Sequence, residues 1–166
     1  MRRYLFPLAL LVLLGGSFGW WWYQPEKVLA RRVAGLFSAA NVAADDGNIT
    51  RSTRGNAIEP YLAASVTFES PDGPTEEIEG AQSRSSLVSL YSYLAKECRL
   101  ISIKPPEIDR IAITGDEAAV EARVDALIDL PNSQRPLDGI QHLAMTWRKT
   151  DGKWVLAAAR WHETAR

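Results

Sequence analysis

The 166-residue chain has one cysteine and two histidines. A lone thiol, Cys98, excludes an internal disulfide and any cysteine-based metal site, and two histidines without a cysteine pair leave no recognisable metal pattern. Neither sign of charge dominates: 19 Lys plus Arg stand against 20 Asp plus Glu. The basic stripe that nucleic-acid binding requires is therefore missing. No metal, cofactor or nucleic-acid partner is assigned. No repeat of fixed period, no low-complexity segment beyond the loops and no catalytic signature is present either, so the sequence speaks of position and shape before it speaks of activity.

What is present begins at the amino terminus. After Met1-Arg2-Arg3 the chain is uncharged from Tyr4 to Tyr23 and closes on Trp20, Trp21, Trp22 and Tyr23. A helix rises ~1.5 Å per residue and needs roughly 20 apolar residues to cross a hydrocarbon core, so residues 4–23 can reach across a lipid bilayer. Tryptophan and tyrosine settle at the headgroup level, half buried and half wet. A cleaved secretory signal is the alternative, with the Leu-rich core from Leu8 to Leu14 and small residues at Ser17 and Gly19. The apolar character outlasts a typical signal core, which favours a retained anchor over residues 1–24 and one domain over 25–166. Arg2 and Arg3 favour a cytoplasmic amino terminus, and Lys27, Arg31 and Arg32 argue the other way. With so short a tail the reading is a single-pass protein with its carboxyl-terminal domain periplasmic; signal cleavage would instead secrete it. Twin-arginine flanks and a lipoprotein cysteine are both missing.

Roughly 140 residues remain, enough to bury a core unaided. Pro25 and Glu26 open a helical pattern in which Val28, Leu29, Val33, Leu36, Phe37 and Ala40 share a face. Asp45 to Asn56 reads as a polar loop, and the Asn48-Ile49-Thr50 sequon in it is of a kind common by chance. Ile58 to Ala64 is predicted as a short helix and Ser65 to Glu69 as a short strand. Ser70 to Glu79 is an acidic loop. Gly80 to Ala95 is predicted as a second amphipathic helix with Leu87, Leu90, Tyr91 and Leu94 inward.

Beyond that helix the apolar period falls from 3.6 to 2. Leu100, Ile101 and Ile103 lead into Pro105-Pro106, which cannot sit in a central strand, and pairing resumes from Ile108 to Ile113. After a turn at Thr114 to Glu117, Val120, Ala122, Val124, Ala126 and Ile128 alternate with Glu121, Arg123, Asp125 and Asp129. A loop from Asp129 to Gly139 precedes a hairpin of Ile140 to Lys149 and Lys153 to Glu163, turning at Asp151-Gly152.

Helix, short helix, short strand, helix and a four-strand antiparallel meander, closed by the hairpin Arg148-Lys149-Thr150-Asp151-Gly152-Lys153-Trp154-Val155-Leu156, resembles the nuclear transport factor 2-like superfamily. That group includes polyketide cyclase-like and ketosteroid isomerase-like domains. The resemblance covers Glu26 to Glu163 and implies an α+β, cystatin-like cone in which three helices pack on a curved antiparallel sheet. Similar domains occur behind one amino-terminal span in bacterial envelope proteins, such as assembly factors of type IV secretion and proteins associated with mammalian-cell-entry transport.

The resemblance also implies where chemistry would sit. Isomerase and cyclase members place a carboxylate, often with histidine or tyrosine, inside the cone, where a general base finds a dry wall and a tuned pKa. Here Glu121, Asp125 and Asp129 share the polar face of their strand, so no catalytic residue is assigned. Arg160 and His162 are read by parity onto the face of Trp154, Leu156 and Ala158, as candidate ligand-binding residues at the cone mouth with Trp154; His142 falls on the exposed parity. By the same parity Trp154 and Trp161 oppose each other. That leaves Trp161, Val155, Ala157 and Ala159 as an apolar strip for a homodimer or an envelope partner. Three functions follow: a non-catalytic envelope interaction module, a small-molecule binder using the cone, or an isomerase-like enzyme, against which the missing catalytic set argues.

Overall fold

The computed structural model describes residues 24–69, 79–131 and 137–165. The anchor segment, with Trp20 to Tyr23, lies outside the described residues, and no helix among those described is long and apolar enough to cross a membrane. The architecture is α+β, with helices packed on one face of a curved sheet.

Helix α1, Pro25–Ala39, starts on the proline that suits its first turn and buries Leu29, Val33 and Leu36, three positions of the predicted stripe. It packs on α3 and on the fourth strand. The expected loop of Asp45 to Asn56 instead holds two one-turn helices, α2 (Asn48–Ser52) and α3 (Arg54–Ile58). They are fixed from outside rather than by their own propensity. Gly55 sits so close to the next long helix that a Cβ there would lie 2.0 Å from the Val88 carbonyl oxygen. The helix predicted over Ile58 to Ala64 is only a 3₁₀ turn, Glu59–Tyr61, and strand β1 begins at once at Leu62 and runs to Glu69. Pro60 helps end the helical stretch, because proline removes a backbone donor.

Gly80–Ser83 is strand β2, not the first turn of a helix. Helix α4, Arg84–Glu97, follows it, with the Ser83 hydroxyl accepting the Ser86 N–H at 3.1 Å as its cap. Leu87 and Ala95 are buried on α4 while Leu90, expected inward, is 45% exposed.

The remaining strands are β3 (Leu100–Ile103), β4 (Glu107–Thr114), β5 (Glu117–Asp129), β6 (Leu137–Thr150) and β7 (Lys153–Ala165). The sheet runs β2-β1-β7-β6-β5-β3, and β4 also pairs with β5. Strands β3 and β4 lie end to end along one edge of β5, interrupted at Pro105-Pro106 as the sequence requires. The β6–β7 turn places Asp151 at φ 51° and Gly152 at φ 76°, the left-handed pair of a tight hairpin.

Two features depart from the expected antiparallel meander. Strand β1 joins the sheet parallel to β7, because the chain returns from the helices along the sheet's free edge. Strand β7 carries a β-bulge: Trp147 faces Leu156, but the next pair is Thr146 with Ala158, leaving Ala157 as an extra residue. A bulge inserts one residue and so reverses side-chain parity beyond it.

The main core lies between the helices and the concave face, around Trp147, Trp154, Leu29, Val33, Val66 and Val120. A second small core joins Val42, Ala95, Cys98 and Ile101. Beside it lies Arg51, the one charged residue buried among those described. Its guanidinium donates to the carbonyls of Asp46 (2.7 Å), Ala43 (2.7 Å), Ala44 (3.2 Å), Ala95 (3.3 Å), Arg99 (2.9 Å) and Cys98. A side chain with five N–H donors thus satisfies the orphan carbonyls at the end of α4 and ties them to the loop before α2.

Candidate functional site

The concave face is the place where a fold of this shape would hold a ligand. Directly opposed strand residues share a face, so the pairs Trp147–Leu156, Met145–Ala159 and Leu143–Trp161 all look toward the helices. Trp147 is fully buried and Trp154 is 4% exposed. Among the described residues no carboxylate and no imidazole is buried. Between α4 and β1 there remains a cavity of about 200 Å³ lined by Ile58, Leu62, Phe68, Leu87, Tyr91 and Leu94, with Leu90 at its rim. Its one hydroxyl, on Tyr91, donates to the Ala40 carbonyl. Burial pushes that hydroxyl's pKa far up, with the nearby Cys98 adding to the effect, so it stays protonated. The cavity is hydrocarbon-walled and holds no general base.

The bulge at Ala157 corrects the predicted placement of the last strand's residues. Trp161 does not oppose Trp154. Both face the helices, and Trp161 meets Phe68 edge to face with ring centroids 5.8 Å apart. Arg160 and His162 then fall on the convex face, opposite Ala144 and His142, and both are exposed. They are not at the cone mouth, and Trp154 is a core residue rather than a mouth residue. The proposed apolar strip is likewise divided: Ala159 is buried on the concave side, Val155 opposes Arg148 on the convex side, and Ala157 is the bulge itself.

The convex face is a polar mosaic. His142, expected to be exposed, is half-buried and stacks on His162 across the strands, rings nearly parallel with centroids 4.8 Å apart. Arg123, opposite His142, pairs with Asp109 at 3.0 Å and Glu107 at 3.2 Å. Asp109 chiefly, with help from Glu107, raises the pKa of that guanidinium. Glu121 lies 4.0 Å from Arg110 and Asp125 2.7 Å from Lys104. These carboxylates are therefore spread along ion pairs instead of gathered into a dyad. Among the described residues no three His, Cys, Asp or Glu side chains come together as a metal would need.

No family profile matches the chain, and no curated protein is similar enough to match it. Solved structures do match. An NTF2-like protein from Cytophaga hutchinsonii superposes with a TM-score of 0.59 at 15% identity, covering 85% of this chain and 99% of that one. The chain has the NTF2-like fold. A domain of unknown function with a cystatin-like fold from Nostoc punctiforme gives 0.55 at 11% identity, over 85% of this chain and 78% of the other. A conserved protein from Planctomyces limnophilus also gives 0.55, at 13% identity, over 69% and 86%. At such identities the likeness establishes the architecture of the NTF2-like domain and leaves its activity to be argued from residues.

Sequence reasoning missed three side-chain arrangements. Arg51 looked like one polar residue in a polar loop, and nothing local marks a side chain that collects carbonyls from distant segments. The His142–His162 stack could have been found only from the strand register. Arg32 reaches the Trp154 carbonyl at 3.0 Å and lies 4.2 Å over the Tyr61 ring; its position two turns into α1 gave no hint of either contact.

Proposed function

We propose that this NTF2-like domain is an extracytoplasmic, membrane-tethered module of the bacterial envelope that works by binding and not by catalysis. The observation that carries the reading is the interior: Trp147, Trp154, Leu29 and Val33 fill the space where isomerase-like relatives would keep a dry acid or base, and no described carboxylate or imidazole is buried there. The uncharged run from Tyr4 to Tyr23 supports the tether. The convex sheet face, with its stacked histidines and ion pairs, is the surface offered to a second copy or to another envelope protein. Fractionation of cells expressing the full chain tests the tether: the protein should stay with membranes through alkaline carbonate washing. Crosslinking in place should then capture a second copy or another envelope protein. Recovery of the unprocessed chain from the cytosol would overturn the proposal.

A second reading rests on the cavity of about 200 Å³ beside Leu87 and Leu94. It suits a small apolar ligand, being smaller than the ~300 Å³ of ordinary ligand sites. Filling it by Leu87→Phe or Leu94→Phe should abolish protection of the fold by such a ligand while leaving membrane association intact.

A further inference from the structure

Near the β6–β7 turn, the pairing of β1 with β7 contains a gap. The five-residue advance of β1 from Leu62 to Thr67 is matched by an advance of only two in β7, from Leu156 to Ala158. The register breaks there, and Ala63 and Ala64 belong to neither of the β1 ladders. The opening is a groove of about 670 Å³, floored by small residues of β1 and rimmed by Arg32, Arg84, Arg148 and Lys153. These cations come from α1, α4, β6 and β7, four elements that meet only in the folded chain.

Two of the guanidiniums are held in place by carbonyls rather than carboxylates. Arg32 donates from Nε to the Trp154 carbonyl and from Nη2 to that of Pro60, and stacks on Tyr61. Arg84 donates from Nε to the Ala63 carbonyl at 3.3 Å, and its Nη groups meet no acceptor among the described residues. Among the described residues no ion pair joins Arg32, Arg84 or Lys153 to an acid. Arg148 is shared with Glu117 at 3.0 Å. The acids of the rim, Glu59 and Asp151, are exposed and form none of these pairs. Carbonyl dipoles orient an arginine without cancelling its charge, and a planar fork so oriented is suited to an oxyanion with several acceptor oxygens.

We infer that this groove is a binding site for a phosphate group, held by Arg32, Arg84 and Lys153, with Arg148 able to exchange Glu117 for the ligand. The site is separate from the cone cavity, and it does not depend on the binding-module reading. The phosphate can belong to a soluble molecule or to a lipid headgroup, since both offer the same oxygens.

Titration calorimetry on the full chain in neutral detergent, at low salt, distinguishes these. Inorganic pyrophosphate and a soluble short-chain phosphatidylglycerol are the two probes. Saturable binding of either is expected, weakened at least about tenfold by Arg84→Gln combined with Lys153→Gln. It should be unchanged by Lys104→Gln, at the opposite edge of the sheet. Tighter binding of pyrophosphate identifies a soluble ligand, and tighter binding of the lipid identifies a headgroup. If the double variant melts early, Lys153→Gln alone, at an exposed position, should still weaken binding severalfold. Absence of saturable binding by both probes, or equal binding by the folded variants and by the parent chain, would overturn the inference.

Discussion

On the concave side of β5, β6 and β7, Val120, Met145, Trp147 and Leu156 are all 5% exposed or less, whereas the convex side of the same strands carries Glu121, Arg123, Arg148 and Arg160. The backbone is common to both faces, so the difference lies in what each meets. The concave residues meet α1 and α4 and lose their water, which makes each apolar carbon count toward stability. The convex residues keep their water and trade charge pairs that are worth little individually. The concave wall therefore holds the domain together, and the convex wall adds little to its stability.

Substitutions can break that division or sharpen it. The largest loss is expected for Trp147→Ala, about 3–5 kcal/mol by urea or thermal unfolding, because a fully buried ring leaves a cavity the sheet cannot close. A loss under about 1 kcal/mol would mean the concave side is not the stabilising one. Arg51→Leu comes next, roughly 2–3 kcal/mol, since it strands several carbonyls that now share one guanidinium. Its effect would show that a charged residue can rank with the core when its donors are all used.

Smaller still is Trp161→Ala, about 1–2 kcal/mol, set against Arg160→Ala and His162→Ala at under about 0.5 kcal/mol each. This trio tests the bulge directly, because without the parity change at Ala157 the order would reverse. Cys98 supplies a kinetic comparison. It is 2% exposed, and burial before any charge effect raises its pKa. Its reaction with a thiol reagent at neutral pH should track global unfolding, and immediate labelling would reveal an open second core.

The smallest effect concerns acid. Asp46 is held below the usual carboxylate range first by its hydrogen bond to Arg54, at 2.6 Å, and then by the Ala43 N–H. A depressed folded pKa means the unfolded chain binds the proton more readily. The contribution is therefore complete above the ordinary carboxylate value of about 4 and is lost as pH falls through the lower folded one. Asp46→Asn should lower stability near neutrality and flatten the acid limb of the unfolding curve, with variant and parent converging once the pH is below the folded value.

Much of the strand layout was legible. Alternation of valine and alanine with charged residues located β5, Pro105-Pro106 located the break in its neighbour, and Asp151-Gly152 located the hairpin, because each of these constraints acts within a few residues. The polar loop that became α2 and α3 was misread because its helices depend on Val88 and the close approach at Gly55, not on their own residues. The cone-mouth and interface assignments failed at one residue, Ala157, since an alanine in a bulge looks like any other alanine in a strand.

By itself the sequence determined the alternation, the turn and the α1 stripe, all consequences of local sterics and apolar periodicity. Tertiary structure alone decided which face Trp161, Arg160 and His162 occupy, that Arg51 would be enclosed by carbonyls, and that four scattered cations would rim one groove. Those outcomes depend on strand register and on contacts between residues far apart in the chain, and no short-range pattern of side chains encodes them.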